Sequence, residues 1–103
     1  AMITRPTPTP KDCMAYTLEA KSNEGPFGYH TASTKRKAEH SLNLFAYAFA
    51  FQLAISFASD GCIAPDIDKW ARSFTVIVKK NGRQIVNAPI MNLLADSDGL
   101  LRL

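Results

Sequence analysis

Two groups of basic residues are the first candidates for chemistry. Lys35, Arg36 and Lys37 follow Ser33 and Thr34, both good helix N-caps, so the three cations fall in a first helical turn. There the free N–H groups and the helix dipole already favour negative charge, and each cation costs ~0.3–1 kcal/mol or is screened by salt. Free N–H groups and three cations fit an anion, either phosphate or a carboxylate surface. A solvated first turn, partly offset by Glu39, would carry the same residues. The second group is Lys79, Lys80 and Arg83 around Asn81-Gly82. Such a tip suits a nucleic-acid backbone or acidic protein residues, and suits equally a sheet edge kept soluble by charge.

The remaining reactive side chains form no recognised constellation. Asp96-Ser97-Asp98-Gly99 has the composition of the start of a calcium loop, but no glutamate follows to close one, so a turn is expected. Asp66 and Asp68 with Cys62 upstream match no metal spacing. His30 and His40 have no evident catalytic partner. The sequence contains no nucleophile elbow, phosphate-binding Gly-rich loop, His-Glu-x-x-His or Cys-x-x-Cys pattern. The expectation is a non-enzymatic protein with no catalytic residues, no cofactor, no metal and no small-molecule substrate.

The elements that must position the basic groups are organised around Thr34–Ser59. From Phe45 to Phe57 bulky and small residues alternate. Period two suggests a strand, but the alanines and the length argue for a helix closed by Gly61. At about 100° per residue, Leu42, Phe45, Phe49, Leu53 and Phe57 form one ridge, and Leu44, Tyr47, Phe51 and Ile55 a second. Ala46, Ala50, Ala54 and Ala58 lie between them. Ser41, Ala48, Gln52, Ser56 and Ser59 are left as the solvent strip, so the helix is expected to be buried on roughly three sides.

Before it, Cys13–Ala20 alternates as a half-buried strand, with Met14, Tyr16, Leu18 and Ala20 on one side. Phe27–Thr31 is a second strand, with Phe27 and Tyr29 opposite Gly28 and His30. After it, Asp66–Ala71 can make one helical turn with Asp66 as cap and Trp70 inward. Ser73–Ile90 reads as a hairpin on a type I′ Asn81-Gly82 turn. That turn sets Lys80 opposite Arg83, Lys79 opposite Gln84, Val78 opposite Ile85 and Ile77 opposite Val86. Phe74, Val76, Val78 and Ile85 are then core, and the Lys80–Arg83 pair is mildly destabilising. Asn92 could cap a final turn. The expected fold is α+β: a two-layer arrangement with an antiparallel sheet of about four strands packed on one long central helix.

At 103 residues with a net charge of +3, the chain has room for one core. Residues 1–11 read as a flexible Thr/Pro-rich tail and 12–103 as a single domain. No basic start precedes an apolar run, so no signal peptide is expected and the location is read as cytoplasmic, with Cys13 and Cys62 reduced. The apolar part of the helix reads as too short and interrupted to span a bilayer, so no membrane partner is expected.

Thr34-Lys35-Arg36-Lys37-Ala38, following a strand, resembles the basic start of the second helix in double-stranded-RNA-binding domains, although Glu39 stands where that family usually has a lysine. That resemblance implies phosphate contacts. In size and element order, with a Thr/Pro-rich start, a strand pair, one Ala-rich helix and a hairpin around Lys80-Asn81-Gly82-Arg83, the chain resembles small phage and mobile-element proteins. These include anti-CRISPR proteins that block a defence complex by binding it, so this resemblance implies a non-catalytic protein-binding inhibitor or regulator. The expected partner is therefore protein in preference to nucleic acid. Nucleic-acid binding through Lys35, Arg36, Lys37, Lys79, Lys80 and Arg83 is the alternative. One layer of sheet cannot cover both helix ridges, which leaves Ala46, Tyr47, Ala50, Phe51, Ala54 and Ile55 as a face for a homodimer or partner.

Overall fold

The computed structural model describes residues 15–103. The expected tail over residues 1–11, the strand start at Cys13 and Met14, and the state of Cys13 lie outside the described residues. Strands β1 (Tyr16–Ser22), β2 (Gly25–Ala32), β3 (Thr75–Lys80) and β4 (Arg83–Pro89) pair antiparallel in the order β2-β1-β3-β4. Helix α1 (Lys35–Asp60) crosses one face of the sheet. Short helices α2 (Pro65–Ser73) and α3 (Ile90–Ala95) flank the hairpin. The fold is α+β, as the order of elements predicts.

The alternation in β1 works as read: Tyr16, Leu18 and Ala20 are buried under α1 while Glu19 and Lys21 face solvent on the open side. This is the usual state of an antiparallel sheet with one covered face. In α1 Thr34 is the N-cap, its Oγ1 accepting from Lys37 N at 3.2 Å. Gly61 ends the helix in the left-handed region at φ 70°, donating to Phe57 O at 2.8 Å. That conformation costs an L side chain ~1–2 kcal/mol, which glycine avoids.

The core is set by Ala38, Leu42, Phe45, Ala46 and Phe49 of α1 against Leu18, Val76, Val78 and Phe74. At the far end of the sheet an aromatic cluster closes it. Phe49 stacks on Trp70 at 5.6 Å, and Phe74 meets Phe27, Phe49 and Trp70 at 4.9, 5.2 and 5.2 Å. Such pairs add ~0.5–1.5 kcal/mol each beyond their burial.

Four expectations are corrected. First, the hairpin keeps Lys80 opposite Arg83 and Lys79 opposite Gln84, but a bulge then pairs Val78 with Val86 and Ile77 with Asn87. Val86 packs on the core and Ile85 is 44% exposed, because the extra residue shifts the side-chain phase by one. Second, an irregularity between Ala20 and Lys21 shifts the pairing near Phe27. Phe27 turns onto Trp70 and Phe74, while His30 packs edge-on against Phe45 at 5.0 Å.

Third, α1 is not buried on three sides. Its 26 residues span ~39 Å at 1.5 Å per residue. Strands of 6–8 residues reach only ~20–27 Å. The helix therefore overshoots the sheet, and from Ala50 to Asp60 every residue except Leu53 and Ser56 is exposed. The assigned solvent strip is partly inverted, with Ser41 and Ser56 buried. Fourth, α2 starts on Ala64 with Pro65 in its first turn and no side-chain cap from Asp66, although Trp70 is buried as expected. Likewise α3 starts at Ile90 after Pro89, and Asn92 lies inside it and does not cap it.

Candidate functional site

The strand register brings the two basic groups to one end of the domain. Ala32 on β2 pairs with Tyr16 on β1, Tyr16 pairs with Lys80 on β3, and Lys80 pairs with Arg83 on β4. This row crosses the sheet in ~15 Å, three inter-strand spacings. α1 begins immediately beyond Ala32, so Lys35, Arg36 and Lys37 stand at the same end as Lys79, Lys80 and Arg83. All six are exposed, and they are half of the chain's 12 lysines and arginines.

Among the described residues the ion pairs are Arg72–Asp68 and Arg102–Asp98, neither of which involves these six. Lys80 Nζ sits 5.6 Å from the centroid of the buried Tyr16 ring, a cation–π contact that holds the ammonium over the ring. The hairpin tip is held to β1 by Asn81 N donating to Ala15 O at 2.6 Å. Asn81 and Gly82 take φ 53° and 82°, the positive values a type I′ turn requires.

The second face predicted from sequence is divided by the fold. Ala46 is buried, because it faces the sheet in the half of α1 that lies over it, and is corrected out of the set. Ala50 and Ala54 are exposed, and Tyr47, Phe51 and Ile55 are exposed by 65, 66 and 44%. Leu44 lies on the same side, and Phe57 is exposed at its border. By length and composition α1 is long and apolar enough to cross a bilayer, contrary to the sequence reading, but its first half is built into the core of the domain.

Two polar residues of α1 have roles that the sequence did not assign to them. Asn43 is buried and exchanges hydrogen bonds with the Leu101 backbone, donating to its O and accepting from its N, both at 2.9 Å. Glu39 Oε2 accepts from Leu103 N at 2.7 Å. Together they bind the segment after α3 along α1. An asparagine in a run of Ala, Leu and Phe was the available signal, since it is a poor helix former with a polar group to satisfy.

A cleft of about 510 Å³ lies under this segment, lined by Leu42, Val86, Leu93 and Leu101 with Asp98 and Arg102 among its polar residues. Arg102 bonds both Asp98 oxygens at 3.4 Å. That hydrogen bonding, the Leu100 N–H and the guanidinium charge hold the Asp98 carboxyl below the ordinary aspartate range. It suits an ion pair and not a general acid. No group of three or more His, Cys, Asp or Glu among the described residues is placed to hold a metal. Cys62 is exposed with a free thiol.

The fold and these surfaces define a small α+β domain with a basic end and an apolar helix face that the described residues leave exposed. No protein-family model matches the chain, and no curated protein or solved structure matches it.

Proposed function

We propose that this domain is a non-enzymatic binding module that presents its basic end to an acidic surface on a partner protein, acting as an inhibitor or regulator by occupancy. The observation that supports it is the placement of Lys35, Arg36 and Lys37 with Lys79, Lys80 and Arg83 at one sheet end, none of the six ion-paired to a described residue. A cationic first turn opposes its own helix dipole, and an anionic partner offsets that cost. The resemblance in size and element order to phage and mobile-element inhibitors, anti-CRISPR proteins among them, supports the same mode of action.

The same placement favours phosphate contacts as a second reading. Base stacking, which strengthens single-strand binding, finds little there. The Tyr16 ring is buried beneath Lys80, and the exposed Tyr29 lies on β2 beside Glu19. Protein is therefore the preferred partner.

The test compares the unmodified chain with a Lys35→Glu, Lys80→Glu variant. Capture of an acidic protein from the native host, lost with the charge reversal, is the expected result. Binding to a generic duplex that falls steeply with salt and is weakened uniformly by the reversal would replace the protein reading with the nucleic-acid one.

A further inference from the structure

We infer that the exposed face of α1 is the interface of an antiparallel homodimer, in which α1 of a second copy packs across a two-fold axis near Phe51. Leu44, Tyr47, Phe51 and Ile55, with Ala50 and Ala54 beside them, form a continuous apolar face on a helix that overshoots its own sheet. From their fractional exposures and the ~150–250 Å² an aromatic side chain can bury, this face offers ~500–600 Å² per copy. That is the upper end of what a lone soluble domain exposes. Buried on both copies it makes ~1,000–1,200 Å², the threshold of a specific interface.

Charge placement selects a second copy of this chain and sets its direction. The first turn of α1 carries three cations and no acid, while its other end carries Asp60 and no basic residue in the last turn. Asp66 lies beside Asp60 at the same depression as Ile55. A parallel pair would set the cationic starts side by side. An antiparallel pair lays the basic start of each helix toward the acidic end of the other, and the helix dipoles then oppose as well.

The face is self-complementary in this direction. An axis through Phe51 sets Tyr47 of one copy opposite Ile55 of the other, and Leu44 opposite Ala58, a bulky residue against a small one. The alanines allow close approach of the two backbones, as an isologous contact needs. Lys79, Lys80 and Arg83 belong to the hairpin and not to this helix face, so the dimer presents two basic hairpin tips and gains bivalence toward a repeated partner.

The experiment is sedimentation from low to high micromolar concentration on the unmodified chain and on Phe51→Glu and Ala54→Glu. Both positions are exposed, so the variants should keep the wild-type circular dichroism spectrum and sediment at monomer mass while the unmodified chain sediments as a dimer. A Cys13→Ser, Cys62→Ser background carrying spin labels sets the direction. Labels at Gln52→Cys, exposed and off the apolar face, should lie within ~20 Å of each other, and labels at Lys37→Cys ~40 Å apart, from 1.5 Å per residue on either side of the axis. A concentration-independent monomer mass, or a dimer mass unchanged by both glutamates, overturns the inference. Close labels at Lys37 would overturn the antiparallel arrangement. Monomer mass with acidic-partner capture intact removes the dimer and leaves the proposed function standing. Dimer mass with no partner captured does the reverse.

Discussion

Asn43 and Leu101 are bound to each other by a two-way hydrogen bond 58 residues apart in sequence. The side-chain amide takes the place of a neighbouring strand, accepting from the Leu101 N–H and donating to its C=O. The same amide also donates to Glu39 O of its own helix at 2.8 Å. The contact is buried, and Leu101 is itself in the core. It converts a turn-rich segment with no helix or strand into part of the α1 surface.

Asn43→Ala leaves the Leu101 N–H and C=O buried without partners, at ~1–3 kcal/mol for an unsatisfied group. The expected result is a loss of ~2–3 kcal/mol in denaturant unfolding. Amide exchange at Leu101 and Leu103 should accelerate beyond what global destabilisation explains. Unchanged protection at both would mean the segment is held by its leucines alone.

Gly28 is required by contact and not by backbone conformation. A Cβ there would meet Phe45 Cε1 at 2.8 Å, and Phe45 is 3% exposed with little room to move. Gly28→Ala should cost ~1–3 kcal/mol by overpacking. Adding Phe45→Leu should recover part of that loss, a coupling a double-mutant cycle measures. Additive effects would place the strain elsewhere.

What the sequence revealed was whatever local chemistry decides. Thr34 and Gly61 bounded α1, and Asn81-Gly82 specified its turn, because caps and tight turns depend on a few adjacent residues. The angular sorting of α1 was sound, but nothing local says which ridge meets the sheet, so Ser41 and Ser56 were placed in solvent and are buried. The overshoot was partly legible, since helix and strand lengths scale differently per residue. Ile85, expected in the core, is turned out of it by a bulge, which arises from pairing across strands. That Lys35 and Lys80 stand at the same end of the sheet was out of reach for a similar reason: it follows only from β1 pairing with both β2 and β3.

The Asp98–Arg102 pair gives a pH signature with a definite sign. Hydrogen bonding from Arg102, the Leu100 N–H and the Arg102 charge lower the Asp98 value below the ordinary one. A depressed carboxyl contributes above its unfolded value and loses that contribution as pH falls through its folded value. Asp98 is ionised in both the folded and the unfolded chain above the ordinary carboxylate range, so unfolding stability should be flat in pH on its account from neutrality down to that range. A carboxyl carbon titration by NMR should show Asp98 titrating below the ordinary aspartate value, and rising toward it in Arg102→Ala. An Asp98 that titrates the same in the unmodified chain and in Arg102→Ala would show that the pair does not persist in solution.

The hairpin offers the sharpest test of the bulge, because two registers assign opposite roles to one residue. In a regular ladder Ile85 would stand across from Val78 in the core. In the bulged ladder Val86 takes that position and Ile85 is 44% exposed. Ile85→Thr keeps a β-branched side chain, so strand propensity changes little, and an exposed site should shift stability by no more than ~0.5 kcal/mol. Were Ile85 buried, the new hydroxyl would lack a partner and cost ~1–3 kcal/mol. Val78→Ala is the internal reference: Val78 is fully buried, and losing its methyl groups should cost ~2 kcal/mol. Val86→Thr should fall between the two, since Val86 packs on the core from a partly exposed position. Urea unfolding of the three variants gives the order directly. If Ile85→Thr costs as much as Val78→Ala, the hairpin is regular and the bulge is wrong.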